Sequence, residues 1–398
     1  MLRNVISSGR AGVRRAGGRR AGVRRAVPAA LAVGALAGSW LAAPAASAVT
    51  SPVAHHSVAG VIGSPSRLQK PGLRQEKSVL AYWTRARLRA AKPVDVINAG
   101  NRPDVQPPAA HPAHPAGRPG SIPGGLPAGR GLAVTRSRPA AGPAGYSYPY
   151  PYSSFNVPAA DYTKWPYELN GRLFFNNDGG SYSCSGTVVG SHSGTSNENE
   201  VWTAGHCLVN TESLTKVVDS SAIFIPAYNG NVADFDPFGE FTWNGGWETS
   251  SAWYYNRDLT EDEAAMTFNT STLNGRTLGQ DVGWDGFAWN WPVNENFTAF
   301  GYPAGSPYNG ANLVEDIAPT AGQDGGIGGA DPTKPIVIGN PMTGGSSGGA
   351  WNIDWSASGP GYVDGHNDYK YSNQPLAMYS PYQDTLSNDV RCFGASSC

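Results

Sequence analysis

The sequence predicts an all-β fold, a barrel or sandwich, from about residue 156 onward. Three observations carry this reading. First, β-prone runs recur at short intervals: R-L-F-F at 172–175, T-V-V at 187–189, S-A-I-F-I-P-A-Y at 221–228, A-A-M-T-F at 264–268, F-T-A-F at 297–300, P-I-V-I at 335–338 and G-Y-V at 361–363. Second, the stretches between them hold N-N-D-G-G, Y-N-G-N and W-N-G-G, where Gly and Asn supply the positive φ that tight turns demand. Third, no long segment repeats with the 3.6-residue period of a helix. A stretch of about 240 residues is enough for two small barrels with one cleft between them.

The N-terminal part has a different character. Residues 3–25 hold eight arginines, then an apolar run of small residues extends from Ala26 to Ala43, then comes Ala46-Ser47-Ala48. A basic segment, a short apolar segment and an A-x-A site in that order predict a signal peptide over 1–48, hence export and a secreted protein. The arginine pairs fit a twin-arginine or a general secretory route. Residues 49–155 read as a basic pro-region or linker. Residues 101–152 are dense in Pro, Ala and Gly and are expected to be disordered or polyproline-like. Within this region Val79 to Ala91 reads as a short basic helix.

Net charge is -1, but the two parts are opposite. Residues 1–156 carry 21 Lys/Arg and three acids, Glu76, Asp95 and Asp104, a net of +18; residues 157–398 are at -19. The basic part is therefore expected to be drawn to the acidic domain.

All four cysteines, Cys184, Cys207, Cys392 and Cys398, lie in the acidic domain. Four in an exported chain read as two disulfides, with three possible connectivities. Sequence neighbours close most easily, which favours Cys184–Cys207 and Cys392–Cys398. The first loop would contribute on the order of 3 kcal/mol by restricting the unfolded chain. The spacings fit no common zinc pattern.

Two short motifs carry the chemistry. The first is W-T-A-G-H-C, Trp202 to Cys207; the second is G-G-S-S-G-G, Gly344 to Gly349. A serine hydroxyl needs a base to take its proton and donors aimed at the oxyanion that forms. Glycines around Ser346 and Ser347 permit the tight turn that presents a serine and points successive N–H groups into one concavity. His206, beside a cysteine, would be held rigidly as a base. Asp324 to Asp331 superficially suggests a phosphate loop, but its acids would repel phosphate and it reads as a surface loop.

C-S-G-T-V-V (Cys184 to Val189), W-T-A-G-H-C and M-T-G-G-S-S-G-G-A-W (Met342 to Trp351) resemble the trypsin-like serine proteases of the chymotrypsin fold. Within them they are closest to the secreted bacterial branch that includes the glutamyl endopeptidase-like enzymes. The resemblance spans roughly 165–385. It implies two six-stranded antiparallel barrels, about 165–280 and about 281–390 within a domain of 156–398, with the active site in their cleft. It implies a disulfide beside the histidine, Ser347 as nucleophile, and the N–H groups of Gly345 and Ser347 as oxyanion hole. It implies the chain order His, Asp, Ser, with the aspartate just before a short apolar strand. Asp262 fits best, Asp258 is the runner-up, and Asp234, Asp236 and Asp281 also fall in the interval.

The chain departs from the family in places. No Ile-Val-Gly-Gly-type activation terminus is evident, and Ser346 stands where trypsins carry Asp. Asp368 stands where the family often has Ser; it would bias a specificity pocket towards basic side chains, and His366 towards acidic ones. The expected partners are protein or peptide substrates and the chain's own pro-region. No cofactor, metal, nucleic acid or, after cleavage, membrane is expected, and the mature domain is expected to be a monomer. The competing reading is an inactive protease homologue serving as a secreted binding or adhesion module, its 12 tryptophans and 18 tyrosines forming contact platforms. A lipase or esterase would need the order Ser, Asp, His, which this chain reverses.

Overall fold

Strand closure explains how the first half of the domain buries its apolar runs. The computed structural model describes residues 60–64, 73–94, 97–100, 117–129, 146–177, 179–190, 199–209, 217–329, 333–356 and 358–392. The expected signal peptide and Cys398 lie outside the described residues. Six strands make the first barrel: β1 Asn170–Asn177, β2 Gly180–Val189, β3 Glu200–Thr203, β4 Ile223–Pro226, β5 Phe241–Ser250 and β6 Ala264–Phe268. They pair antiparallel in the order β5-β6-β3-β2-β1-β4, and β4 pairs back onto β5, which closes the barrel. Closure leaves no unpaired edge. The N-N-D-G-G turn joins β1 to β2, and Gly179 takes φ +78° there. Period-2 alternation sends Leu173 and Phe175 into one core with Val188, Val201, Phe224, Phe241 and Met266.

The second half is a curved half-barrel sheet. Its strands are β7 Gly286–Trp289, β8 Asn296–Gly301, β9 Val314–Gln323, β10 Ile336–Gly339, β11 Ala350–Ile353, β12 Tyr362–His366, β13 Tyr369–Lys370 and β14 Ala377–Ser380. Their order is β13-β14-β10-β9-β8-β11-β12-β7. One side-chain bond spans β12 and β14, where the His366 N–H donates to the Ser380 hydroxyl at 2.9 Å. Phe297, Val314, Ile336, Ile338, Trp351 and Met378 fill the core of this half. Trp202, Trp253 and Trp351 are fully buried, so these tryptophans serve the core rather than a surface platform.

In the described part of the N-terminal region the helix expected over Val79 to Ala91 is present, longer at its start and in two pieces, whereas Gly120–Ile122, within the stretch expected to be disordered, is a strand. The region forms helices Leu73–Tyr82 and Arg85–Ala90, broken at Trp83-Thr84, where Thr84 caps the second helix by accepting the Arg87 N–H. Trp83 and Leu88 are buried in one cluster with Phe174, Ile223, Ile225 and Tyr228, on the outer face of the first barrel. The Trp83 indole also donates to the Ser221 carbonyl at 2.6 Å. Charge attraction was the expected docking force; Arg85 does act on the Asp236 carboxylate, and the hydrogen bonds of Arg85 and Arg89 run to the backbone carbonyls of Val232, Ala233 and Gly230. Burial outweighs the attraction: a Trp and a Leu removed from water each contribute more than a solvated ion pair does. Downstream, Gly120–Ile122 pairs with β7 and Ser153–Asn156 pairs with β9. Composition alone missed these additions because a strand added to an existing edge needs no core of its own.

Candidate active site

Register brings the histidine and an aspartate to the same end of the first barrel. In the β6–β3 ladder Ala264 lies opposite Thr203. Asp262 therefore precedes its strand at the end where His206 follows the other, on the single helical turn Gly205–Leu208. Cys207 of that turn is disulfide-bonded to Cys184 of β2, with a Cα–Cα distance of 6.2 Å. Cys392 is also disulfide-bonded, and Cys398, its expected partner, lies outside the described residues. Gly205 is required by close approach, since a Cβ there would lie 2.6 Å from Trp253 Cδ1 and 2.8 Å from Asp262 Oδ1.

Asp262 receives two bonds from His206: the backbone N–H at Oδ1, 2.7 Å, and ring Nδ1 at Oδ2, 2.9 Å. Both side chains are sealed from solvent. Burial works against a charged imidazole, but the Asp262 carboxylate and then Asp368 outweigh it, and the ring is pushed up to about 10. Asp258 is elsewhere, accepting the N–H and hydroxyl of Thr260. Asp281 pairs with Arg276 and Asn274. Asp234 and Asp236 belong to the loop near Arg85.

The serine loop is stitched between the two halves. Gly345 and Gly348 take φ +91° and +79°. A Cβ on Gly348 would lie 2.1 Å from Thr203 Oγ1, so this glycine lets the loop press against the strand that leads to His206. Across the cleft, Ser185 N donates to Ser347 O at 2.8 Å and the Ser185 hydroxyl to Gly345 O at 2.9 Å. On the other side, Gly348 N donates to Asn367 O and Asn367 N to Gly349 O. Among the described residues the Ser347 hydroxyl and His206 Nε2, both buried, have no hydrogen-bond partner, whereas Ser346 donates its hydroxyl to Thr343 O. Those two free atoms are the ones a nucleophile and its base would use.

Two residues expected to face a substrate side chain lie instead on the inner side of the histidine. The His366 ring bonds through Nε2 to the Asp262 carbonyl at 2.9 Å, and burial pushes its pKa down to about 4, so it is a neutral donor. Asp368 is fully buried with Oδ1 3.2 Å from His206 Nδ1. Their place follows from β12 running beside the serine loop, which sequence spacing does not reveal.

The N-terminal region also enters the cleft, and the sequence reading missed it. Lys92–Pro93 pairs parallel with β2, and Ile97–Asn98 pairs parallel with β13. Between them Val94 N donates to Ser183 O at 2.9 Å, and Val94 O accepts the Gly345 N–H at 2.7 Å. Farther on, Ala99 N donates to Lys370 O and Ser372 N to Gly100 O. The one available signal was the β-prone V-D-V-I at 94–97 within an otherwise basic stretch.

Two buried acids and the half-buried Glu240, all away from the site, give an expected pH dependence. Burial raises Glu240 and Glu315 to about 7 and Asp316 to about 8. A carboxyl raised on folding stabilises the native state at low pH and loses that contribution as pH climbs through the folded value. His366 acts in the opposite sense, but only between about 4 and its ordinary 6.5, and Lys370, lowered to about 7, does so only above 7. The unfolding midpoint is expected to fall by about 5 °C or more between pH 5 and pH 8. A midpoint that is flat or rises over that interval in calorimetry would show these acids to be solvated.

A closed barrel and a half-barrel with a His–Asp pair at their junction define a protease architecture. No family model matches the chain, and no curated protein matches it. Solved structures do match. The protease Anisep from Arthrobacter nicotinovorans is 32% identical, covering 58% of this chain and 96% of its own, with a TM-score of 0.49. The thermostable serine protease AL20 from an extremophilic microorganism is 27% identical, covering 61% of this chain and 100% of its own, with a TM-score of 0.49. A Glu endopeptidase is 18% identical, covering 58% and 91%, with a TM-score of 0.41. By its barrels, and by identity along nearly the whole Arthrobacter protease, the chain belongs to the trypsin-like serine proteases of the chymotrypsin fold.

Proposed function

We propose that the chain is an exported serine endopeptidase made as a zymogen. The observation that supports this most is the buried His206–Asp262 pair beside a loop whose Ser347 hydroxyl is free. Ser347 Oγ attacks the scissile carbonyl carbon while its proton passes to His206 Nε2. The carbonyl oxygen becomes an oxyanion facing the N–H groups of Gly345 and Ser347. The C–N bond then breaks, Nε2 returns its proton to the leaving amine, and an ester links the acyl group to Ser347. Water enters by the same sequence and releases the acid. Asp262 holds the proton on Nδ1, so that Nε2 is free to accept one.

Residues 92–94 and 97–100 supply the zymogen block in this reading. The leaving amine must face His206, on the first barrel, so the C-terminal half of a substrate lies on that side and the N-terminal half on the second. This segment runs the other way: 92–94 lie on β2 and 97–100 on β13. Its described residues thus lie along the cleft in the reverse of a substrate's direction, with the Val94 carbonyl on the Gly345 N–H.

The test is chemical labelling. After limited proteolysis a fluorophosphonate is expected to label Ser347, mapped by mass spectrometry, with no label in Ser347→Ala. A folded, processed chain that takes no label would be the binding module instead. The mature N-terminus from the same spectra tests export and cleavage.

A further inference from the structure

We propose that Asp368 is a positioning residue of the triad, its carboxyl shared between His206 and Asp262 on the Nδ1 side of the imidazole. This deepens the triad reading and rests on it. The reactive oxygens of Asp262 and Asp368 and a ring nitrogen of His206 all lie within 4.8 Å of one another, and all three residues are buried. Nδ1 donates to Asp262 Oδ2 at 2.9 Å; Asp368 Oδ1 sits 3.2 Å from the same nitrogen, off the line of that bond. Among the described residues no other donor reaches either oxygen of Asp368. Its backbone is held from two directions: Asp368 N donates to Tyr379 O on β14, and the preceding Asn367 exchanges backbone bonds with Gly348 and Gly349 of the serine loop. Asp368 thus ties the placement of the histidine to the loop that carries Ser347.

Two carboxyl groups this close and this buried cannot both be charged beside a neutral ring without a large cost, so the cluster binds a proton on the side where Nδ1 faces both carboxyls. Burial and then the Asp262 charge push Asp368 well above the carboxylate range. Asp368 thereby adds to the hold that Asp262 has on the Nδ1 proton, since both carboxyls raise the ring. The remaining charged or titratable groups that act on the pair are His366, which donates to the Asp262 carbonyl, and Arg257, which interacts with Asp262 at longer range. Neither can take up the role of Asp368, because one is held neutral and the other is a cation.

The experiment is the NMR titration of the full chain labelled with ring ¹⁵N-histidine, the His206 signals being assigned by their loss in His206→Gln. It needs no peptidase activity, so it reads the cluster even if Ser347 is not a nucleophile. Asp368→Asn removes one carboxyl from beside the ring, and the His206 midpoint is expected to drop by about one unit or more. A role in packing alone would leave the midpoint in place. A midpoint within about 0.3 unit of the parent in a cooperatively melting Asp368→Asn chain overturns the proposal. If that variant does not fold, Asp368→Ser is read in its place; failure of both to fold assigns Asp368 to the fold and overturns the proposal as well.

Discussion

Asp262→Asn is expected to lower kcat by about 10⁴ in the processed enzyme while leaving KM and the fold nearly unchanged. The argument is one of donors and acceptors. Asp262 accepts from both the backbone N–H and the ring Nδ1 of His206, at 2.7 and 2.9 Å. Asparagine has one oxygen and one NH₂ group. If the oxygen keeps the backbone N–H, the NH₂ faces Nδ1 and drives the proton to Nε2. An Nε2 that carries a proton cannot take one from Ser347. The side chain is nearly isosteric, so loss of folding would not explain the loss of rate, and a thermal melt checks this directly. A kcat within about tenfold of the parent would remove Asp262 from the mechanism.

The second large effect concerns the segment in the cleft. Cutting the chain between Val94 and Ile97 is expected to raise the rate of fluorophosphonate labelling at Ser347 by about a hundredfold or more. In the intact chain the Ser347 side chain is inaccessible, and the Gly345 N–H that would stabilise the oxyanion is engaged by Val94 O. Releasing that carbonyl frees the donor, and one such donor is worth about 10²–10³ in rate. Raised salt is not expected to substitute for the cut. The helices before the segment hold by Trp83 and Leu88 in an apolar cluster and by bonds to backbone carbonyls, neither of which salt screens strongly. Intact and cut chains labelling at the same rate would show the segment to be a harmless strand addition.

The two tests together separate the parts of the mechanism. In the proposed mechanism Asp262→Asn acts on proton transfer after the substrate is bound, and the cut acts on access before it. A cut Asp262→Asn chain should therefore be open to small inhibitors of the cleft yet slow in turnover.

Several features were legible from residues alone because their causes are local. Gly/Ser composition around Ser347 announces a turn that only glycine can make, and the structure finds positive φ at Gly345 and Gly348. Cys184 and Cys207 are near neighbours, and their disulfide clamps the turn of His206. Short strands with Gly/Asn turns predicted the all-β class, since period and turn chemistry act over a few residues. Asp262 was legible only in part: its apolar strand could be read, but Asp258 four residues earlier carried the same chemistry. The choice between them was made by the ladder that sets Ala264 opposite Thr203.

Chain composition and short motifs by themselves determined the fold class and the disulfide beside His206, and marked the candidate serine and histidine, because each is written in local sequence. Only the tertiary structure decided which aspartate meets His206, that Asp368 and His366 lie behind the histidine, and that Val94 sits on the Gly345 N–H. These depend on pairing between strands far apart in sequence. A β-ladder is formed by backbone groups that every residue carries, so side-chain identity does not reveal which strands will meet.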